Sequence, residues 1–117
     1  MSKRELTETL HIGKVQAEKI ISGMKSEDVI HRTAELFGVL SDPTRVKIFL
    51  ALSKVELCVG DLARIVGVSD SAASHQLRIL RNMGLVDYRK EGKLAFYSLS
   101  DEHLKRILKQ SLDHVSE

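Results

Sequence analysis

The chain has 117 residues, of which 43% are hydrophobic and 29% are charged, the ordinary balance of a soluble globular protein. This length corresponds to about one domain and excludes an enzyme built from separate catalytic and substrate-binding domains. The net charge is only +2, from 18 basic and 16 acidic side chains, so a nucleic-acid surface would have to come from the placement of the charges.

The single cysteine excludes an intrachain disulfide and a Cys-rich zinc finger, and it fits the reducing cytosol. The N-terminal stretch MSKRELTETL carries charges where a signal peptide needs its apolar segment. No apolar run approaches the ~20 residues that a membrane span requires. The sequence therefore predicts a soluble cytoplasmic protein that does not enter a membrane.

The first part of the chain predicts an N-terminal arm and then helices. Residues 1–25 are polar with scattered aliphatic side chains, which indicates a frayed start and a weak helix. Residues 26–117 are expected to form a single domain. Within it, apolar residues recur at helical spacing over 29–40, and Asp42-Pro43 suits the N-cap and first turn of the next helix. That helix, about 43–53, is apolar on most sides, so we expect it at the centre of the core.

A short helix, a turn and a longer helix are predicted next. The brief apolar run Leu57-Cys58-Val59 leads into a short helix that ends at Gly67. The longer helix covers about 70–83, and either Ser69 or Asp70 caps it.

A hairpin and a final helix complete the pattern. Two strand-like runs, 86–90 and 94–99, flank Glu91-Gly92-Lys93, where glycine suits a tight turn. Asp101 opens a last helix that runs to about residue 116. The fold class is therefore mainly α with a small β-hairpin (α+β). Two helices around a short turn, followed by a hairpin, predict a winged helix-turn-helix.

The longer helix has an apolar side and a polar side when its residues are placed at ~100° intervals. The apolar side consists of Ala73, Leu77, Leu80 and Met83. The polar side consists of Ser71, Ser74, His75 and Arg78, with Arg81 and Asn82 extending it. Short hydroxyls allow close approach to a DNA groove, and the longer side chains can reach bases or phosphates. Asp70 would repel phosphates, so we expect it to cap the helix.

Basic residues also gather at the tip of the predicted hairpin, where a wing would meet phosphates or the minor groove. They are Arg89, Lys90 and Lys93. A polar helix face alone is weak evidence, because every surface helix has one. The short helix before it and the basic hairpin after it together favour a DNA-reading unit.

Four stretches of the chain form a recognisable set: Leu-Ser-Asp-Pro-Thr-Arg (40–45), Val-Gly-Asp-Leu-Ala (59–63), Val-Ser-Asp-Ser-Ala-Ala-Ser-His-Gln-Leu-Arg (68–78) and Tyr-Arg-Lys-Glu-Gly-Lys (88–93). They resemble the ArsR/SmtB family of metal-responsive bacterial repressors, over about residues 30–117. The resemblance implies a homodimer built from N- and C-terminal helices, with one recognition helix on each half of an inverted-repeat DNA operator. It also implies that the base and backbone contacts come from Ser71, Ser74 and His75.

The final helix carries candidate metal ligands at its two ends. Asp101 and His103 lie at its start, and His114 and Glu117 lie at its end on one helical face. Residues 103 and 114 are ~16 Å apart along a helix that rises ~1.5 Å per residue, whereas each ligand of a zinc ion lies ~2 Å from it. One helix cannot close such a site. Two antiparallel copies can, which gives a dimer two equivalent intersubunit sites.

Two imidazoles and two carboxylates in a closed set suit Zn²⁺, with Co²⁺ or Ni²⁺ as alternatives. Asp-x-His followed by His-x-x-Glu also resembles the C-terminal-helix site of the zinc-sensing, SmtB-like branch of the family. We expect the metal-free dimer to repress transcription and zinc to release the operator. The seam between the two copies is expected from Leu104, Leu108, Leu112 and Val115. The alternative is that the four residues bind no metal: Asp101 only caps the helix, and the other three residues are exposed to solvent.

Cys58 and Asp61 resemble half of a second site, which some relatives complete from the partner's N-terminal segment; here that segment offers only His11. A weak Cys58, Asp61 and His11 site is one alternative, and a plainly buried cysteine is the other.

A winged-helix regulator that senses thiol oxidation or another ligand through Cys58 is the alternative function. His31 is expected to be structural or exposed. An enzyme is not expected, because catalytic zinc needs an open coordination position.

Overall fold

The computed structural model describes residues 11–117, and the predicted frayed start at residues 1–10 lies outside this range. The described residues divide into two compact units, 11–37 and 38–117. The predicted domain boundary after residue 25 stays a prediction, because compactness alone does not define a domain. None of the helices in the described range is long and apolar enough to cross a membrane.

The first unit is helical and exposes much apolar surface. Helix α1 spans Lys14–Ser22, which confirms the predicted weak helix, and helix α2 spans Glu27–Val39. The Ser26 hydroxyl accepts a hydrogen bond from the Val29 N–H at 3.3 Å, at the start of α2. Large hydrophobic side chains remain exposed along this unit: Ile12, Val15, Ile20, Ile21, Met24, Val29, Ile30 and Phe37.

The second unit is built around helix α3, Pro43–Leu52, which ends one residue before its predicted end. Asp42 has an extended backbone, and its carboxylate accepts a hydrogen bond from the Arg45 N–H at 3.0 Å, as an N-cap should. Ile48 and Phe49 are completely buried. The prediction of a central core helix is therefore confirmed.

Strand β1 (Leu57–Cys58) leads directly into helix α4 (Val59–Val66), and helix α5 (Asp70–Asn82) follows after a turn. Gly67 ends α4 with a φ of 84°, a left-handed conformation that glycine adopts without strain.

Ser69, rather than Asp70, caps α5, so the expectation for Asp70 is wrong. The Ser69 hydroxyl accepts a hydrogen bond from the Ala72 N–H at 3.0 Å. The physical reason is the backbone: Ser69 is extended, as a capping residue must be, whereas Asp70 already belongs to the helix. As an acidic residue in the first turn, Asp70 still interacts favourably with the helix dipole.

The wing is an antiparallel hairpin of β2 (Val86–Glu91) and β3 (Leu94–Leu99), in a sheet with the order β1-β3-β2. Strand β2 is one residue longer than predicted, so the turn contains only Gly92 and Lys93. Gly92 has a φ of 63°, which a two-residue hairpin turn favours. Tyr88 pairs with Tyr97 across the strands, and Arg89 pairs with Phe96.

The last helix, α6, spans Glu102–Ser116 and packs on α3 and β3. Leu104 and Leu108 are buried within the chain's own core, whereas Leu112 and Val115 are exposed at 39% and 80%. The expectation that all four form an intermolecular seam is therefore wrong for the first two, which already pack inside this chain.

The helix-turn-helix is locked by the apolar side of α5. Ala73, Leu77 and Leu80 are completely buried, and α5 packs against α4, where Leu62 is also completely buried. Met83, predicted on the same side, is 42% exposed. It follows the last residue of the helix and is rotated by ~90° from the middle of the buried side, which explains the error.

We expect Leu62→Ala to lower the free energy of unfolding by about 2–5 kcal/mol, because it opens a cavity between α4 and α5. Ile65→Ala is the matched control, since Ile65 lies on the same helix but is 63% exposed; its effect should stay within about 0.5 kcal/mol. Urea titration at one fixed protein concentration measures both. Equal losses in the two variants would contradict this description of the core.

Candidate DNA interface and metal-ligand residues

One side of α5 is buried and the opposite side faces solvent. Ser71, His75 and Arg78 are exposed, and Ser74 is half-buried. The structure thus brings the four predicted contact residues together on one accessible surface, which we call the polar face of α5. A groove-binding helix needs this arrangement, because its inner side must be fixed while its outer side reads DNA.

A hydrogen bond from α3 holds α5 on its flank. The Arg45 Nε donates to Gln76 Oε1 at 2.9 Å, in a partly buried position. Sequence reasoning missed this pair, because the two residues are 31 positions apart and lie in two separate motifs that do not show their contact. The bond restrains the rotation of α5 about its own axis, and with it the direction of the polar face.

Arg81, predicted to extend the polar face of α5, is exposed, and its guanidinium is engaged by the wing. Its guanidinium carbon lies 3.9 Å from the centroid of the Tyr88 ring, in a cation–π contact with the wing. The Tyr88 ring is in turn stacked on Tyr97, with ring centroids 5.7 Å apart.

Arg89 is held by neighbours in its own chain. Its Nε donates to Glu56 at 2.9 Å, its Nη1 donates to Glu91 at 2.8 Å, and its guanidinium carbon lies 4.9 Å from the Phe96 ring centroid. The hydrogen bond that Arg89 donates to Glu91, followed by the one that it donates to Glu56, raises the pKa of Arg89 above its ordinary value. The positive charge is thus permanent but is already balanced by two carboxylates.

Lys90 and Lys93, the other two predicted wing cations, are exposed. Within residues 11–117 no ion pair involves either of them. The three basic residues that look alike in the sequence therefore differ in their surroundings, and the two lysines carry the uncompensated charge of the wing.

The four predicted C-terminal-helix ligands lie in two pairs. Asp101 Oδ1 is 3.9 Å from His103 Nδ1, and the same oxygen accepts the Leu104 N–H at 3.0 Å, so Asp101 also caps α6. The side chains of Asp101 and His103 are 59% and 84% exposed. His114 lies in the last turn of α6 and Glu117 is its C-cap, and both are exposed.

No group of three or more His, Cys, Asp or Glu side chains is close enough to hold a metal ion within residues 11–117 of one chain. The two ends of α6 are therefore not brought together by the fold of a single copy. The donors themselves, imidazole nitrogens and carboxylate oxygens that are open to solvent, fit the ligand preferences of zinc.

The residues of the second predicted set lie in different elements of the chain. Cys58 is half-buried and stands at the N-cap position of α4. Asp61, on the exposed side of α4, lies 3.9 Å from Arg64 in an ion pair. His11 is exposed in the first unit. His31 is exposed on α2, 3.7 Å from Glu27, which confirms the expectation that it is structural or exposed.

Two helices around a tight turn, an outward polar face on the second helix and a hairpin that presents lysines define the class of winged helix-turn-helix DNA-binding proteins. Residues 42–88 match the family described as bacterial regulatory protein, arsR family. The chain belongs to this family.

Two curated proteins and one solved structure are similar to the chain. The transcriptional repressor SmtB homolog of Synechocystis is 43% identical over 102 residues, which are 87% of this chain and 77% of that protein. The cadmium resistance regulatory protein CadC homolog of Staphylococcus aureus is 46% identical over 110 residues, 92% of this chain and 88% of that protein. A homodimeric winged helix-turn-helix DNA-binding domain from Mycobacterium bovis has a TM-score of 0.72 at 24% identity, covering 81% of this chain and 91% of that one.

These findings confirm the predicted family and the predicted winged-helix fold. They also confirm that the chain is a DNA-binding transcriptional regulator rather than an enzyme.

The unequal surroundings of the wing cations predict unequal salt effects. We expect Lys90→Ala and Lys93→Ala each to reduce the magnitude of the slope of log K for DNA binding against log salt by about 1, because each removes a side chain that is predicted to contact a phosphate. Arg89→Ala should lower it by clearly less, because Glu56 and Glu91 already balance that charge. Binding of one DNA duplex at several salt concentrations measures the slopes. A slope loss for Arg89→Ala equal to that for Lys93→Ala would contradict this ranking.

Proposed function

We propose that the chain is a zinc-responsive transcriptional repressor that acts as a homodimer. The metal-free dimer binds an inverted-repeat operator, and zinc binding at an intersubunit site releases it. The observation that carries the proposal is the placement of two incomplete pairs of metal-binding side chains at opposite ends of α6, both exposed.

DNA contact is assigned to the polar face of α5 and to the wing. Ser71, Ser74 and His75 approach the bases or backbone, and Arg78 extends the contact to bases or phosphates. Lys90 and Lys93 meet phosphates. Arg89 adds the least of the wing cations, because DNA contact would compete with its two carboxylate partners.

Dimerisation is supported by exposed apolar surface at both ends of the chain. The first unit exposes a run of large hydrophobic side chains from Ile12 to Phe37, and α6 exposes Leu112 and Val115. Isolated exposed hydrophobics are ordinary, but a series of them along one segment favours an interface. A two-fold dimer presents two copies of α5, which is the reason an inverted repeat is the expected operator.

The metal site is assigned to two chains because one helix cannot close it. Asp101 and His103 of one copy would be completed by His114 and Glu117 of the other. When bound, zinc supplies a link that fixes these two helix ends relative to each other. The donor set would also accept Co²⁺ or Ni²⁺. It contains no thiolate, so the cadmium in the name of the Staphylococcus aureus relative is not transferred to this chain.

Release requires that the metal bind the form with low DNA affinity more tightly, and by linkage DNA must weaken metal binding by the same factor. A backbone route inside one chain supports such coupling. The Ser100 N–H donates to the Leu85 carbonyl at 3.1 Å, and the Leu85 N–H donates to the Leu80 carbonyl at 2.9 Å. The start of α6, where Asp101 lies, is thereby tied to the end of α5.

We expect Arg78→Ala to weaken DNA binding by about 1–3 kcal/mol, because it removes a long cationic contact from the polar face of α5. Arg106→Ala is the matched control, since it removes the same charge from an exposed position on α6. Fluorescence anisotropy with a labelled duplex, selected from a random pool by the metal-free protein, gives both affinities. Equal losses would show that only net charge matters.

We expect zinc to release the operator from the wild type and not from His103→Ala, with about two zinc ions bound per wild-type dimer. His31→Ala, which changes an exposed histidine of α2, is the control and should respond like the wild type. The anisotropy assay with added zinc and the metal content of the purified protein are the measurements. If His103→Ala still releases DNA on zinc addition, this site is not the sensor.

Mixed dimers test whether the site spans two chains. His103→Ala and His114→Ala homodimers should each lack both intact sites. A dimer with one copy of each variant should regain one intact site and bind about one zinc ion, because both substitutions then fall in the same site. Heterodimers isolated by two different affinity tags allow the count. No recovery would exclude the intersubunit arrangement.

A further inference from the structure

Three side chains form a continuous stack between α5 and the hairpin, which we call the Arg81–Tyr88–Tyr97 stack. Arg81, in the last turn of α5, lies over the ring of Tyr88 on β2 at 3.9 Å from its centroid. Tyr88 is paired in register with Tyr97 on β3, and their rings stack at an interplanar angle of 27°. One arginine of the recognition helix is thus connected with both strands of the wing.

Arg81 lies at the border between the polar face of α5 and its buried side. At ~100° per residue it lies ~20° around the helix from half-buried Ser74 and ~40° from completely buried Leu77. Its guanidinium is therefore directed along the edge where α5 meets the sheet.

The short connection between α5 and the wing does not by itself fix the direction of the hairpin. Side-chain contacts must fix it. Only Met83, Gly84 and Leu85 separate α5 from β2, and backbone bonds join Gly84 N to the Arg81 carbonyl and Leu85 N to the Leu80 carbonyl, both at 2.9 Å. These bonds fix the point where the chain leaves the helix. They do not reach the far end of the hairpin, whereas the stack contacts both strands farther along.

We propose that Arg81 is a positioning residue that acts through Tyr88 to set the angle between the recognition helix and the wing, and that it does not itself contact DNA. This proposal rests on the proposed function in one respect, namely that the polar face of α5 and the wing lysines bind the same DNA molecule. Two surfaces of one protein can bind the same DNA molecule without an entropic cost of ordering only if their separation is fixed before binding. The stack supplies this restraint with planar groups that have few alternative arrangements.

A double-mutant cycle on DNA affinity tests the proposal. Arg81→Ala should weaken binding about three- to tenfold and leave the salt slope unchanged, because no phosphate contact is lost. In a Tyr88→Leu background the same change should have no further effect. Tyr88→Phe keeps the ring and should bind like the wild type. An equal loss in both backgrounds, a slope lowered by about 1, or no loss at all would overturn the proposal.

A second measurement needs no DNA. The chain has two tyrosines and no tryptophan, so its near-ultraviolet circular dichroism reports the tyrosine signal of this stack. Arg81→Ala should change the tyrosine band while the far-ultraviolet spectrum, which reports the helices, stays the same. An unchanged tyrosine band would exclude the stack. If the wild type binds no selected duplex, the proposed function fails, and this spectrum still decides whether Arg81 restrains Tyr88.

Discussion

The packing of α5 against α4 is the contact on which the rest of the DNA-binding unit depends. Leu77 and Leu80 are completely buried together with Leu62, and this burial fixes the rotation of α5 about its axis. Because the rotation is fixed, the serines, His75 and Arg78 have one defined direction outward. The Arg45–Gln76 hydrogen bond adds a polar restraint on the flank of the same helix. A helix with the same polar residues but a loose apolar side would present no constant surface to a groove.

The cations at and near the wing have different surroundings on the two faces of the hairpin. On one face, Tyr88 stacks on Tyr97 and receives the guanidinium of Arg81; on the other, Arg89 is held by carboxylates and lies over Phe96. The lysines at and near the turn have no such partners within residues 11–117. In the proposed function the arginines stabilise the position of the hairpin, and the lysines supply charge for DNA.

The two halves of helix α6 have different surroundings. Its first half, with Leu104 and Leu108, belongs to the core of its own chain, whereas Leu112 and Val115 in its second half remain exposed. In the proposed site, Asp101 and its neighbour His103 are thus fixed relative to the recognition helix of the same chain. The ligands at the other end belong to the half that is free to meet a partner, so a bound metal would join the DNA unit of one copy to the helix end of the other.

The sequence by itself determined the order of the elements, most of their ends to within one or two residues, and the exposed side of α5. Gly67 acts on backbone atoms within four residues, and apolar periodicity needs no distant partner, so both can be read locally. The cap of α5 could not be decided in this way, because Ser69 and Asp70 are both good capping residues. Only the tertiary structure decided the partners of Arg81 and Arg89 and the burial of Leu104. The partners of the two arginines depend on the register of the strands and on the direction in which the chain leaves α5. The burial of Leu104 depends on which side of α6 packs on the rest of the chain. The residues involved are distant in sequence, as in the 33 positions between Arg89 and Glu56, and no local pattern encodes such a contact.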